Sequence, residues 1–307
     1  LRIAERDMIA VHGRLDGHSG TSTGLAIVAY GSFGGAELGF GSDLDLVFLH
    51  DGARVQRESD GAKPVDAARY YARLAQRVVH LLGMPTRAGR LYEVDVRLRP
   101  DGSKGMLVQG FDAYEEYQRE RAWVWELQAL VRARLVAGGL AAARRFARIR
   151  SDLLVTVRDP QGVRAEVVAM RARWRAERDR SDAQQFDLKQ GSGGLVDIEF
   201  LLQALVLLHA AQHPALLAGG NSADLIAALV AAGILDARSA AALAEAHTAL
   251  LARAIRCTLD GRQRIAPRDE VIARHAASVL AAARDAGLAF DGKDPTRINT
   301  EESGGAR

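Results

Sequence analysis

The chain has 307 residues, 48% hydrophobic and 26% charged, with a formal net charge of +3, which is enough apolar material for two domains with buried cores. A single cysteine, Cys257, excludes an intramolecular disulfide and a cysteine-based metal centre; the lack of an apolar run of bilayer length, or of a signal-like segment after Leu1, points to a soluble, cytoplasmic chain without a membrane partner. Four of the 41 basic residues are lysine (Lys63, Lys104, Lys189, Lys293) and the rest arginine, and the arginines of 144–150 and 171–180 alternate with Ala, Glu and Asp at helical spacing, so solvated helix faces are expected rather than a nucleic-acid groove.

The chain begins with leucine, as a piece of a longer polypeptide would. Leu25 to Tyr30 is a short apolar run that ends at Gly31, the pattern of a buried strand entering a glycine-rich turn. A second strand follows, in which Leu44, Leu46 and Phe48 alternate with Asp43, Asp45 and Val47. Apolar positions from Ala67 to Leu82 fall at helical spacing, and Gly83 and Pro85 stop the helix. A third strand is expected from Leu91 to Leu98, and a helix from Phe111 to Arg134 that Gly138 and Gly139 end. Beyond Gly139 the pattern is helical throughout, with Leu195 to His209 apolar nearly all round and therefore central. Residues 292–307 are polar, without periodicity, and are expected to be disordered. These elements divide into an α+β domain over 1–138 and an α-helical bundle over 139–307.

Asp43 and Asp45 sit two apart on a strand and share a face, roughly 7 Å from each other. Carboxylates so placed repel, and a hard divalent cation such as Mg²⁺ or Mn²⁺ would relieve them; a pair of surface acids at a strand end is the plainer reading. Gly31-Ser32, ahead of this pair and just after a strand, lets a backbone approach a triphosphate closely and offers N–H groups and a hydroxyl to it. Strand alternation puts Glu93, Asp95, Arg97 and Arg99 on one face, where a carboxylate could complete a two-metal site and arginines could neutralise phosphate; a cross-strand ion-pair ladder is the alternative. Asp197 and Glu199 at the head of the central helix suit capping, Lys189 shares with them a candidate role in binding, and His209, His213 and His247 are assigned to packing or solvent.

Tyr30-Gly31-Ser32, a spacer, Asp43-Leu44-Asp45-Leu46 and then Asp95 resemble the signature of the DNA polymerase β nucleotidyltransferase superfamily. Longer strings, Tyr30 to Asp51, Leu91 to Pro100, Ala122 to Arg134 and Phe186 to Phe200, are similar to bacterial glutamine synthetase adenylyltransferase, a resemblance that covers roughly residues 20–260. Trp123 to Arg134 and Tyr92 to Asp95 look like that family's C-terminal, adenylyl-transferring half. The resemblance implies a polymerase β-like α+β domain followed by a helical bundle. It further implies transfer of AMP from ATP to a tyrosine of glutamine synthetase, with pyrophosphate released and a PII nitrogen-signalling protein as a further partner. Asp43, Asp45 and Asp95 would then be the catalytic, metal-holding carboxylates, and Gly31, Ser32, Arg97 and Arg99 the nucleotide contacts. Ser32 departs from the family, which more often has lysine there. Phosphorolytic removal of AMP would use the same carboxylates, and an inactive nucleotide-binding module is a third reading.

Overall fold

The computed structural model describes residues 1–15, 24–51 and 58–290, so the expected disordered tail at 292–307 lies outside the described residues. The chain forms two compact units, Leu1–Leu154 and Val155–Arg307, the first mixed α/β and the second almost wholly helical. Among the described residues no helix is long and apolar enough to cross a membrane.

In the first unit, α1 (Arg2–His12) precedes β1 (Leu25–Ala29), a one-turn α2 (Gly31–Gly34) and β2 (Leu44–His50); α3 (Ala67–Gly83) leads to β3 (Val94–Asp95) and β4 (Val108–Gly110). Then come α4 (Phe111–Glu120), α5 (Val124–Val131), β5 (Arg134–Ala137) and α6 (Leu140–Leu154). The sheet runs β3-β2-β1-β5, with β4 also on β2. β1 is antiparallel to β2 and to β5, while β3 and β4 run parallel to β2 at its start and its end. Leu25, Ile27, Leu44, Leu46 and Phe48 pack on Met8 of α1 and on Tyr70, Tyr71, Leu74 and Val78 of α3. The alternate residues Ala26, Val28, Val47 and Leu49 are buried as well. Cover on both faces explains why β1 reads as an unbroken apolar run. Asp66 starts α3 by accepting the N–H of Arg69 at 2.9 Å.

Two expectations from the sequence change here. The strand expected over Leu91 to Leu98 is only Val94–Asp95, because Asp95 Oδ1 accepts the N–H of Arg97 at 2.8 Å and turns the chain. The helix expected from Phe111 to Arg134 is two helices and a strand. Glu126 Oε2 reaches back to the N–H of Trp123 at 3.0 Å and begins a new helix, and Arg134 opens β5. Helix α6 belongs with the first unit. Phe146 and Ile149 are buried, and Arg150 donates to the carbonyls of Leu130 and Val131 at 3.1 and 2.5 Å.

The second unit holds α7 (Pro160–Arg178), β6 (Gln185–Asp187), α8 (Leu195–His209), α9 (Ser222–Ala231), α10 (Ala237–Leu259), β7 (Ile265–Pro267) and α11 (Glu270–Asp285). Side chains of Asp159, Asn221, Asp236 and Asp269 cap α7, α9, α10 and α11. Helix α8 has the expected bounds and is buried over most of its length, and Cys257 is buried in α10. The two-stranded ribbon of β6 and β7 was not expected, and three residues a strand is too short for periodicity to register.

The expectation that the arginines of 171–180 line a solvated face fails at Arg171 and Arg175. Asp197, wholly buried in the first turn of α8, accepts from Arg171 Nε at 2.5 Å, from Arg175 Nη2 at 2.7 and 2.9 Å, and from the N–H of Gly193 at 2.6 Å. Arg171, itself 0% exposed, also donates to the carbonyl of Gln190 at 2.7 Å, which ties α7, the loop before α8 and α8 together. Asp197→Ala leaves a buried guanidinium without its counter-ion and is expected to cost roughly 3–5 kcal/mol, read as a fall in the urea midpoint at unchanged slope. A loss below about 1 kcal/mol would show that the cluster does not hold the unit together.

Candidate active site

Everything at the acidic end of the sheet starts from β2. Its first residues pair with β3 in parallel register, Leu44 with Val94 and Asp45 with Asp95. Register partners on adjacent strands lie roughly 4.8 Å apart and project to one face, so the two carboxylates stand side by side. Asp43, exposed, is the residue just before β2, and the carbonyl of Glu93 accepts the N–H of Leu44 at 2.8 Å to hold that edge closed.

The glycine turn sits directly on this pair. Gly31 has φ +53°, and a Cβ on it would stand 2.3 Å from Asp45 Oδ2, so only glycine permits the approach. The backbone fixes the same contact, since the N–H of Tyr30 donates to the carbonyl of Asp45 at 2.9 Å. Rather than an open loop, Gly31–Gly34 is a single helical turn, in which Gly34 N–H donates to Tyr30 and Gly35 N–H to Gly31. Ser32 lies on this turn, half-buried. Gly34 is as constrained as Gly31, because a Cβ there would meet the carbonyls of Arg132 and Ala29 at 2.4 and 2.6 Å.

Arg132, Arg134, Glu37 and Tyr114, to which the sequence reading gave no role, hold the turn together with Tyr30. Arg134 donates from Nε to the carbonyl of Gly34 at 2.8 Å and from Nη2 to that of Phe33 at 3.1 Å, capping α2. Arg132, buried, pairs with Glu37, whose N–H donates to the carbonyl of Ser32 at 2.8 Å. The hydroxyl of Tyr30 meets that of Tyr114 at 2.5 Å in the interior, where burial pushes both phenols above their ordinary range. The alternation of Arg132 and Arg134 after a helix was the available signal, hidden by reading one long helix through it.

Arg97 and Arg99 do not share a strand face with Asp95. Arg97 folds back onto Asp95, donating from Nε at 3.0 and 2.9 Å to the two carboxylate oxygens and from Nη2 at 2.5 Å. This guanidinium holds the Asp95 carboxyl below the usual carboxylate range, and Asp45 and Asp43 add to the pull on Arg97. Arg99 instead donates to the carbonyls of Val96, Gly105 and Ser103 at 2.6, 3.2 and 3.2 Å, which fastens the loop after β3. Glu126, held by Tyr117 and Trp123, lies beneath the surface of α5, where desolvation raises its pKa.

Among the described residues no group of three or more His, Cys, Asp and Glu is arranged as a metal cage. The donor set nonetheless suits a hard divalent ion: Asp45 and Asp95 offer side-by-side carboxylates, and the place a Cβ of Gly31 would fill lies against one of them.

A mixed α/β unit with aspartates paired on parallel strands against a glycine turn is the arrangement expected of a nucleotidyltransferase. Residues 1–149 match the family model for glutamate-ammonia ligase adenylyltransferase, and residues 167–283 that for PII-uridylyltransferase. The chain is 54% identical over 286 residues to the bifunctional glutamine synthetase adenylyltransferase/adenylyl-removing enzyme of Xanthomonas campestris, covering 93% of this chain and 30% of that protein. Proteins with the same name from Stenotrophomonas maltophilia and Nitrosococcus oceani are 53% and 46% identical over 94% and 84% of this chain, and 31% and 27% of their own length. The chain belongs to the glutamine synthetase adenylyltransferase family, and it spans about a third of the length of these relatives.

Gly31→Ala places a Cβ in the space of the Asp45 carboxylate and in the left-handed region, so the variant is expected to lose roughly 1–2 kcal/mol and to show Asp45 displaced in a crystal structure. An unmoved Asp45 would refute the contact. Because the folded pKa of Asp95 is depressed, its pairing contributes stability that is present above the unfolded value near 3.9 and lost as pH falls through the folded pKa. Arg97→Ala should bring the Asp95 titration, followed by carboxyl ¹³C NMR, back up toward that unfolded value.

Proposed function

We propose that this chain transfers AMP from ATP to a tyrosine hydroxyl of glutamine synthetase and releases pyrophosphate, and that it works as the adenylyl-transferring half of the longer relatives. The observation that carries the reading is Gly31 resting on the Asp45 carboxylate while Asp95 stands beside it in register. A triphosphate can approach a backbone that has no Cβ, and the first N–H groups of a helix have no intrahelical partner, so Gly31 and Ser32 present donors to it. The serine hydroxyl takes the place of the cationic contact that the family more often makes with lysine.

Asp43 and Asp45, with Asp95, would hold Mg²⁺ or Mn²⁺, which supplies charge neutralisation of the triphosphate and a more acidic tyrosine hydroxyl. Asp95 orients that hydroxyl. The hydroxyl gives its proton to solvent as its oxygen attacks the α-phosphorus in line, the bond from that phosphorus to the β-bridging oxygen breaks, and the leaving pyrophosphate takes the displaced charge. Arg97, whose side chain is 74% exposed, is placed to turn from Asp95 to that pyrophosphate, whereas Arg99 is committed to three carbonyls and shapes the loop instead. The polymerase β-like fold and a two-domain division belong to the same proposal, the boundary expected at 138/139 moving to follow α6 at Leu154, with the helical part carrying contacts to glutamine synthetase and to a PII protein.

Purified chain incubated with unmodified glutamine synthetase, Mg²⁺ and α-phosphate-labelled ATP should label the synthetase. Asp43→Asn with Asp45→Asn should reduce labelling by at least about a hundredfold at an unchanged circular dichroism spectrum. The relatives' names also contain removal of AMP. Release of ADP from adenylylated synthetase and phosphate, without labelling, would assign that direction instead, and silence in both assays from a folded chain would leave a binding module.

A further inference from the structure

A cleft of about 640 Å³ opens within the helical unit and is lined by the end of α8, the turn between α9 and α10 and the end of α11. His209, the last residue of α8, and His213 both line it. The N–H of His213 donates to the carbonyl of His209 at 2.9 Å, so the chain makes one more turn past α8 and the two imidazoles stand a turn apart against the same cavity. Their i, i+4 spacing is that of two imidazole ligands sharing one metal ion on a helix. Both residues are half-buried, and among the described residues neither imidazole has a hydrogen-bond partner. The sequence suggested only packing or solvent for these histidines, because nothing in it places a cavity against them.

The charges around the cleft suit a cation. Asp236 and Asp285 set two carboxylates against one guanidinium, that of Arg164. Asp236 Oδ1 accepts the N–H groups of Arg238 and Ser239, both at 2.9 Å, and hydrogen bonds from Ser239, its hydroxyl before its N–H, hold the carboxyl below the usual range and therefore ionised. Asp285, the last residue of α11, is exposed and makes no ion pair among the described residues. Helices α8 and α11 both end at the cleft, where the carbonyl ends of their dipoles add negative potential. Arg164 opposes this, but its Nε is held on the carbonyl of Ala286 at 3.0 Å and its Nη1 on that of Pro160 at 3.4 Å, which fixes its charge to one wall. Burial first, and then repulsion from Arg164 and His213, hold the His209 imidazole below its ordinary pKa, and the neutral imidazole is the form that binds metal.

We propose that His209 and His213 hold a divalent transition ion of the zinc class, with water in its remaining positions and Asp236 and Asp285 balancing its charge across that water. Imidazole selects such an ion over Mg²⁺, which keeps to oxygen donors, so the site is chemically separate from the aspartates of the first unit. Two protein ligands rather than three agree with the absence, among the described residues, of any group of three His, Cys, Asp and Glu set for a metal. Ala210, Ala211 and Gln212 lie between the pair, so no carboxylate follows the first histidine to act as a base on bound water. The ion pins the turn after α8 rather than taking part in a reaction.

The test records long-range ¹H–¹⁵N spectra of the imidazoles of the whole chain, with Mg²⁺ in large excess to occupy the aspartates of the first unit, while Zn²⁺ is added. Zn²⁺ should move the His209 and His213 signals together, saturating by about a tenfold excess of metal over chain, and leave those of His80 and His247 in place; Mg²⁺ alone should move none of them. His209→Ala and, separately, His213→Ala should each weaken the response of the remaining imidazole at least about tenfold at an unchanged circular dichroism spectrum. The site is overturned by no shift at that excess, by a shift confined to one of the pair, or by a His209 response that survives His213→Ala. His213 lies in the turn beyond α8, so that variant keeps the test available should His209→Ala unfold.

Discussion

The contact of Gly31 with the Asp45 carboxylate constrains the whole first unit. A carboxylate half-buried at a strand end normally needs room for water or a counter-charge, and here a backbone takes one side of it. For that backbone to stay, the turn must be gripped from behind. Arg134 caps its carbonyls, Arg132 secures Glu37, and the buried Tyr30–Tyr114 hydroxyl pair anchors the residue that enters the turn. The string from Trp123 to Arg134 thereby acquires a physical role: it carries the arginines that fasten the glycine turn.

The helical unit solves its central problem by different means. The head of α8 lies in an apolar interior, and its first turn carries an acid that cannot remain charged there alone. Two arginines of α7 and a backbone N–H of Gly193 surround Asp197, which converts a desolvation penalty into a geometric lock on the loop ahead of the helix. Gly193 is glycine because a Cβ would strike Ala276 of α11 at 2.4–2.7 Å, so the same loop also sets how closely α11 can approach.

What was legible in the sequence follows from range. The strands at Leu25 and Leu44, and the helices at Ala67 and Leu195, carry continuous patterns with stop signals at their ends, and the structure has them within a residue or two. Asp43, Asp45 and Asp95 stood out because acids are rare on strands that are otherwise apolar, and the register places Asp45 beside Asp95. β4, β5 and the β6–β7 ribbon were not legible, and β3 was expected three residues too long at each end, because pairing of two to four residues is decided by partners distant in the chain. Arg99 misled for a related reason: strand alternation assigned it a face, but the Asx turn at Asp95 ended the strand before that alternation could apply.

Arginine explains the remaining difference between pattern and structure. A guanidinium is a planar fork whose donors can meet several carbonyls at once, which an ammonium on a flexible stem does less well. Arg99, Arg134 and Arg150 each bridge two or three backbone carbonyls, and Arg171 joins a carbonyl to a buried acid. Backbone carbonyls carry no residue identity, so these fasteners leave no sequence partner to detect and look like surplus positive charge. A net charge of +3 therefore says little about an anionic macromolecular partner, because several of the arginines that make it up are spent on fixing loops.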